Sequence, residues 1–145
     1  MKKVMFDSNV FDKLSEFIQV IKESENTKYE YFITNIQVEE LAVIPDIKKE
    51  TRIRNILMLT DLRAKLVPVS VMVLGKARLG YTRLGMGEVY HTILNEKKSN
   101  SNDAIIADTS VHEGCILITE DKDLYQRMKN NNYEVMHLQD FLSSM

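Results

Sequence analysis

Residue types that would announce a function at once are scarce in this chain of 145 residues. It has one cysteine, Cys115, and three histidines. A lone cysteine excludes an internal disulfide framework and suits a reducing cytoplasm. His112 and Cys115 stand close in sequence, but two ligands do not make a zinc site, and a structural histidine near a helix end is the plainer reading. No Gly-x-x-x-x-Gly-Lys occurs, which excludes a P-loop ATPase. The Gly-x-Gly within "LGMGE" lacks the strand-then-helix setting of a dinucleotide site. No stretch approaches the ~20 apolar residues of a membrane span. Only Val4-Met5-Phe6 separates two lysines from Asp7, too little for the apolar region of a secretory signal. Net charge is −2, so the fold as a whole does not attract polyanions. Any nucleic-acid contact must come from a local basic patch or from metal ions. Hydrophobic residues at 44% and charged residues at 28% are ordinary globular values, and the length fits one domain over residues 1–145. The eight methionines are most simply core filler.

What is present is an alternation of two hydrophobic periods. Lys3 to Phe6 reads as a strand. Val10, Leu14, Phe17, Ile18 and Ile21 follow at the spacing of an amphipathic helix. Tyr31 to Ile33 is a second strand. Thr34-Asn35-Ile36-Gln37 has the capping-box form that starts a helix, and Pro45 ends it. A helix is expected from about Asp46 to Leu62. A strand at Leu66 to Val69 follows, its proline marking an edge or an end. Val71 to Lys98 is the least readable segment, with a helix expected from Glu88 to Glu96 and a polar loop from Lys97 to Asn102. Asp103 to Glu113 reads as a helix stopped by Gly114, and Cys115 to Ile118 as a buried strand. A short helix after Asp121, a strand at Glu134 to Met136 and a terminal helical turn complete the chain. Neither internal repeats nor low-complexity tails occur. Strands alternating with helices predict an α/β fold of three layers, with a mostly parallel central sheet covered by helices on both faces.

In such sheets ligands bind beyond the carboxyl ends of the strands. Asp7 stands at the end of the first strand and Asp121 just past the strand ending near Thr119. Asp103 lies in the first turn of its helix. Glu40 is about a turn and a half into the helix capped by Thr34, on the face of Ile36 and Val43, and its side chain leans back toward the rim. Taken singly, Asp103 is a first-turn residue favoured by the helix dipole and Asp121 an N-cap. Glu39 and Asp123 could be solvated charges. Taken together, converging carboxylates raise one another's pKa unless a cation neutralises them. Oxygen-only ligands select a hard cation, Mg²⁺ or Mn²⁺.

The segments "VMFDSNVF", "TNIQVEELAVI" and "NDAIIADTSVHEGCILITEDKDL" resemble, in order and spacing, those of PIN-domain nucleases, including VapC-type toxins. The resemblance spans essentially the whole chain and is weakest over Val71 to Lys98. It implies a single PIN-like domain with catalytic, metal-binding acids at Asp7, Glu40, Asp103 and Asp121, and Asp123 as a further candidate. Asn9 and Thr119 match supporting positions. It further implies hydrolysis of RNA phosphodiesters with Mg²⁺ or Mn²⁺, an RNA substrate, a cytoplasmic setting, and room for a cognate antitoxin protein or a homodimer. Ser8 stands where threonine is commoner and Leu124 where an aromatic is usual; neither change removes an acid.

An acid-lined site cannot attract RNA unaided. The basic cluster interleaved with an aromatic is "KARLGYTRLG", where Lys76, Arg78 and Arg83 could pair with phosphates and Tyr81 could stack on a base. A solvated loop is the plain alternative. Two rival functions carry sequence tests. A PIN-like binding domain without turnover predicts a missing acid, and all four are present. A phosphoryl-transfer protein with Asp7 as nucleophile wants a second acid close by, and Asp7-Ser8-Asn9-Val10 supplies none.

Overall fold

The computed structural model describes residues 1–24, 28–71, 87–94 and 101–145. β1 (Lys2–Phe6) is the middle of a five-stranded sheet. On one side lie β2 (Tyr29–Ile33) and β3 (Lys65–Leu66), on the other β4 (Ile116–Ile118) and β5 (Val135–Met136). Every pairing is parallel, with Val4 opposite both Tyr31 and Ile116. Side chains alternate across this sheet as the strand period requires. Met5, Phe32 and Leu117 enter one core and Val4, Phe6, Tyr31, Ile33 and Ile118 the other. Strands buried on both faces read as continuous apolar runs, which is why β1, β2 and β4 stand out in the sequence.

Eight helices cover the two faces among the described residues: α1 (Phe11–Leu14), α2 (Ile18–Ser24), α3 (Asn35–Ala42), α4 (Lys49–Asp61), α5 (Glu88–Leu94), α6 (Ser101–His112), α7 (Lys122–Asn130) and α8 (Leu138–Ser143). Residues of α1, α4 and α8, including Phe11, Leu14, Met58 and Phe141, pack on Val4 and Phe6. Residues of α5, α6 and α7, including Ile93, Ile105, Ile106 and Met128, pack on Met5 and Leu117. Each fully buried Leu, Ile or Phe contributes roughly 1.5–3 kcal/mol, so both layers are needed to hold the sheet. β3 and β5 are the edge strands; Pro68 lies just beyond β3, which ends at Leu66, and a Lys65–Glu30 ion pair blunts that edge.

Several boundaries differ from the sequence expectation: the strand expected at Leu66 to Val69 is Lys65–Leu66, and the helix expected from Asp46 opens with a tight turn before α4 begins at Lys49. The stripe from Val10 to Ile21 is not one helix: a tight turn at Ser8–Val10 leads into it and another at Ser15–Phe17 interrupts it. Ser15 Oγ donates to the Asp12 carbonyl at 2.9 Å, a local bond that competes with the regular ladder. α6 begins at Ser101, so Ser101 and Asn102 are helical rather than loop. Gly114 closes it in the left-handed region at φ +69°. The cluster of Lys76, Arg78, Tyr81 and Arg83 lies outside the described residues.

Candidate active site

The parallel sheet delivers the carboxyl ends of β1 and β4 to one rim, and Asp7 is the first residue beyond β1. Its N–H donates to the Ile118 carbonyl at 2.9 Å, so the sheet itself fixes its position. Asp7 is 2% exposed. One carboxylate oxygen accepts from the Ser8 N–H at 2.8 Å and the other from Thr119 Oγ1 at 2.8 Å. Thr119, fully buried, also accepts the Asp121 N–H at 3.1 Å. Its hydroxyl proton is therefore committed to Asp7, tying the two strand ends together.

Glu40 reaches the same rim from α3. The start of that helix is held by Gln37, whose Oε1 accepts from the Thr34 N–H at 2.6 Å while its Nε2 donates to the Phe6 carbonyl at 2.8 Å. One side chain thus caps α3 and locks it to the end of β1. Ser8 Oγ donates to one Glu40 oxygen, and Asn102 Nδ2 donates to the other at 2.7 Å. The face shared with Ile36 and Val43 runs from buried Ile36 to exposed Val43, which places a charge at the transition.

Asp103 sits in the first turn of α6 and lines an open cleft of about 350 Å³ together with Asp7, Ser8, Asn9, Asp12, Glu40, Leu41, Ile44 and Asn55. Burial, and then the charges of Asp7, Asp121 and Glu40, push its carboxyl up to about 7. Asp7 is pushed up to about 6, by burial first; the Thr119 and Ser8 hydrogen bonds oppose the shift, and Glu40 and Asp121 add to it. The four acids therefore feel one another across the rim. That is the electrostatic signature of a site short of positive charge.

Asp121 is also the N-cap of α7, accepting the Leu124 N–H at 2.9 Å, so the capping reading of this residue holds. It acts on Asp7 and Asp103 through its charge and is not among the residues lining the cleft. Asn9 Oδ1 accepts from the Glu120 N–H at 3.4 Å and its side chain lines the cleft. Asp123 is exposed on the first turn of α7, away from the cleft lining. The cleft also contains Ser8, named in the sequence only as a departure from threonine, together with Asp12 and Asn55; these two, and Asn102, which steadies Glu40, were not singled out in the sequence.

The donor set suits a hard cation: every acid at the rim offers oxygen, and two of them are held in a strained electrostatic state. Among the described residues no three His, Cys, Asp or Glu side chains are grouped closely enough to hold a metal ion together. A small hydrated cation such as Mg²⁺ needs no such grouping, since it keeps several waters and takes one or two carboxylates.

A family model described as PIN domain matches residues 4–130. No curated protein matches the chain. Among solved structures, a domain of a functionally unknown protein from Methanocaldococcus jannaschii DSM 2661 is similar over 95% of this chain and 91% of that one. The identity is 21% and the TM-score 0.62, a likeness of fold.

Proposed function

From the premise that the chain belongs to the PIN-domain family, whose members are generally nucleases and typically use divalent metals, we propose that it is an endoribonuclease dependent on Mg²⁺ or Mn²⁺. The observation that carries the proposal is the gathering of Asp7, Glu40, Asp103 and Asp121 at one rim, where burial first and the neighbouring acids second raise the carboxyls of Asp7 and Asp103. In this reading those four residues hold the cation. When bound, it supplies Lewis-acid activation of water and of the scissile phosphate. The rest belongs to the chain. Thr119 and the Ser8 N–H hold the Asp7 carboxylate in one orientation. Ser8 Oγ and Asn102 do the same for Glu40. Asp103 is left open to the cleft. Asn9 and Thr119 act as positioning residues, and Asp123 is the remaining candidate beside them. A binding domain without turnover is the weaker reading, because the rim lacks no acid.

The test is cleavage of single-stranded and structured RNA by purified protein with Mg²⁺, Mn²⁺ or EDTA. Cleavage that survives EDTA would overturn the metal dependence. For the grip on substrate we propose Lys76, Arg78, Tyr81 and Arg83. Replacing Arg78 and Arg83 by alanine should flatten the dependence of log affinity on log salt by about 0.7 per lost phosphate contact. An unchanged slope returns this segment to a solvated loop.

We extend the proposal to a toxin–antitoxin pair. Exposed Ile53, Ile56 and Leu57 form an apolar strip on α4 that a cognate antitoxin or a second copy of the chain would cover. A short upstream reading frame with a DNA-binding pattern would support the antitoxin.

A further inference from the structure

Asn55, on α4, is 1% exposed and lines the same cleft as Asp7, Glu40 and Asp103. Its Nδ2 donates to Asp12 Oδ1 at 2.7 Å, while its own Oδ1 is buried without a hydrogen-bond partner. A buried amide oxygen left unpaired costs stability that an apolar residue would not. Nor can the amide turn over, because that would set Oδ1 against the Asp12 carboxylate. Asp12 follows Ser8 by about one helical turn and is exposed, so its carboxylate continues the cleft wall beyond the acids at the rim. Leu41 and Ile44 form an apolar part of the same wall.

This end of the cleft therefore presents the Asp12 carboxylate beside apolar surface. A phosphate is repelled there; a planar group with a donor-rich edge is favoured. We propose that Asp12, held in place by Asn55, is a specificity-determining residue that reads a guanine of single-stranded RNA lying in the cleft. The inference rests on the nuclease reading for its substrate class. Guanine offers N1–H and N2–H side by side on its Watson–Crick edge, and one carboxylate accepts both. Adenine and cytosine place an acceptor nitrogen beside their amine, and uracil flanks its single N–H with two carbonyls. Those edges meet the Asp12 carboxylate with repulsion as well as attraction. Ile44, partly exposed on the cleft wall and backed by buried Leu41, supplies the apolar contact for the face of the base.

The experiment is fluorescence anisotropy in EDTA, using labelled uridine hexamers that carry one guanosine or one inosine. Inosine lacks only the N2 amine. The wild type should bind the guanosine hexamer about tenfold tighter, within the range that one bidentate base contact provides. Asp12→Asn should bind both hexamers alike, and its exposed position leaves the fold intact, as a thermal melt will verify. Equal binding of the two hexamers by the wild type, or a ratio kept by Asp12→Asn, overturns the inference. Because the measurement needs no turnover, a protein that cleaves no RNA yet shows the ratio would sink the nuclease reading alone. Cleavage of RNA with no such ratio would do the reverse.

Discussion

Asp103 and Asp108 stand on the same helix, and the fold treats them in opposite ways. Asp108 is 6% exposed, and both of its oxygens are occupied: one accepts from Ser70 Oγ and the other from the Tyr90 N–H at 2.9 Å. It fastens the chain after β3 and the first turn of α5 to α6. Asp103, one and a half turns earlier, faces three other acids, and its carboxyl is pushed up to about 7. A carboxylate buried for architecture is surrounded by donors. Asp103, half-buried, is surrounded by its own kind with room left in front of it, as the proposed catalytic role requires. The contrast distinguishes the two environments without reference to any relative.

The largest effect expected from this contrast is on turnover. Asp103→Asn or Asp7→Asn keeps side-chain size while removing charge, and each should lower kcat/KM by more than the roughly 10–100-fold cost of losing an outer partner of a metal site. Steady-state cleavage of RNA checks this; full activity in either variant breaks the contrast. Asp108→Ala should behave in the reverse manner. Leaving the Tyr90 N–H and Ser70 Oγ unpaired in a buried place should cost about 3 kcal/mol of stability, read by urea unfolding, while the activity of the folded fraction persists.

A subtler separation comes from pH and metal. Asp7 and Asp103 titrate near 3.8 when unperturbed, and at about 6 and about 7 in the folded chain. Between about pH 4 and 7 the folded state thus binds more protons than the unfolded state. Stability of the metal-free protein should therefore fall as pH rises through that window, contrary to the usual behaviour of a paired carboxylate. Mg²⁺ or Mn²⁺ at a hundredfold excess over its dissociation constant should restore about 2.7 kcal/mol at neutral pH. Thermal melts at matched ionic strength will show both effects. Neither should survive in Asp7→Asn/Asp103→Asn, and both should persist in a folded Asp108 variant.

Asp7, Asp103 and Asp121 were legible in the sequence because each stands at a boundary between periods, where a strand or helix end announces itself. Asp7 closes an apolar run, and Glu40 interrupts the face of a capped helix. Asp12 and Asn55 gave no such signal. They lie inside helices as ordinary polar residues, and their bond spans 43 positions. Asp108 was equally quiet, since a helix buried from Ala104 to Ser110 has no polar face against which an aspartate looks out of place. Local pattern reveals ends and faces. It does not reveal which polar residues will meet across the fold.

The pairing of β1 with β4 carries one more consequence. Asp7 meets Thr119 across 112 positions of sequence, and α6, which bears Asp103, lies between α5 and the entry to β4. Contacts this remote in sequence close late, because the entropy of the intervening loop must be overcome first. During synthesis the ribosome releases β1, β2 and α3 long before β4, so a nascent chain presents Asp7 and Glu40 without the strand that completes their rim. The four-acid rim is therefore complete only when most of the polypeptide has emerged, and under the proposed ribonuclease reading an unfinished chain would be inactive.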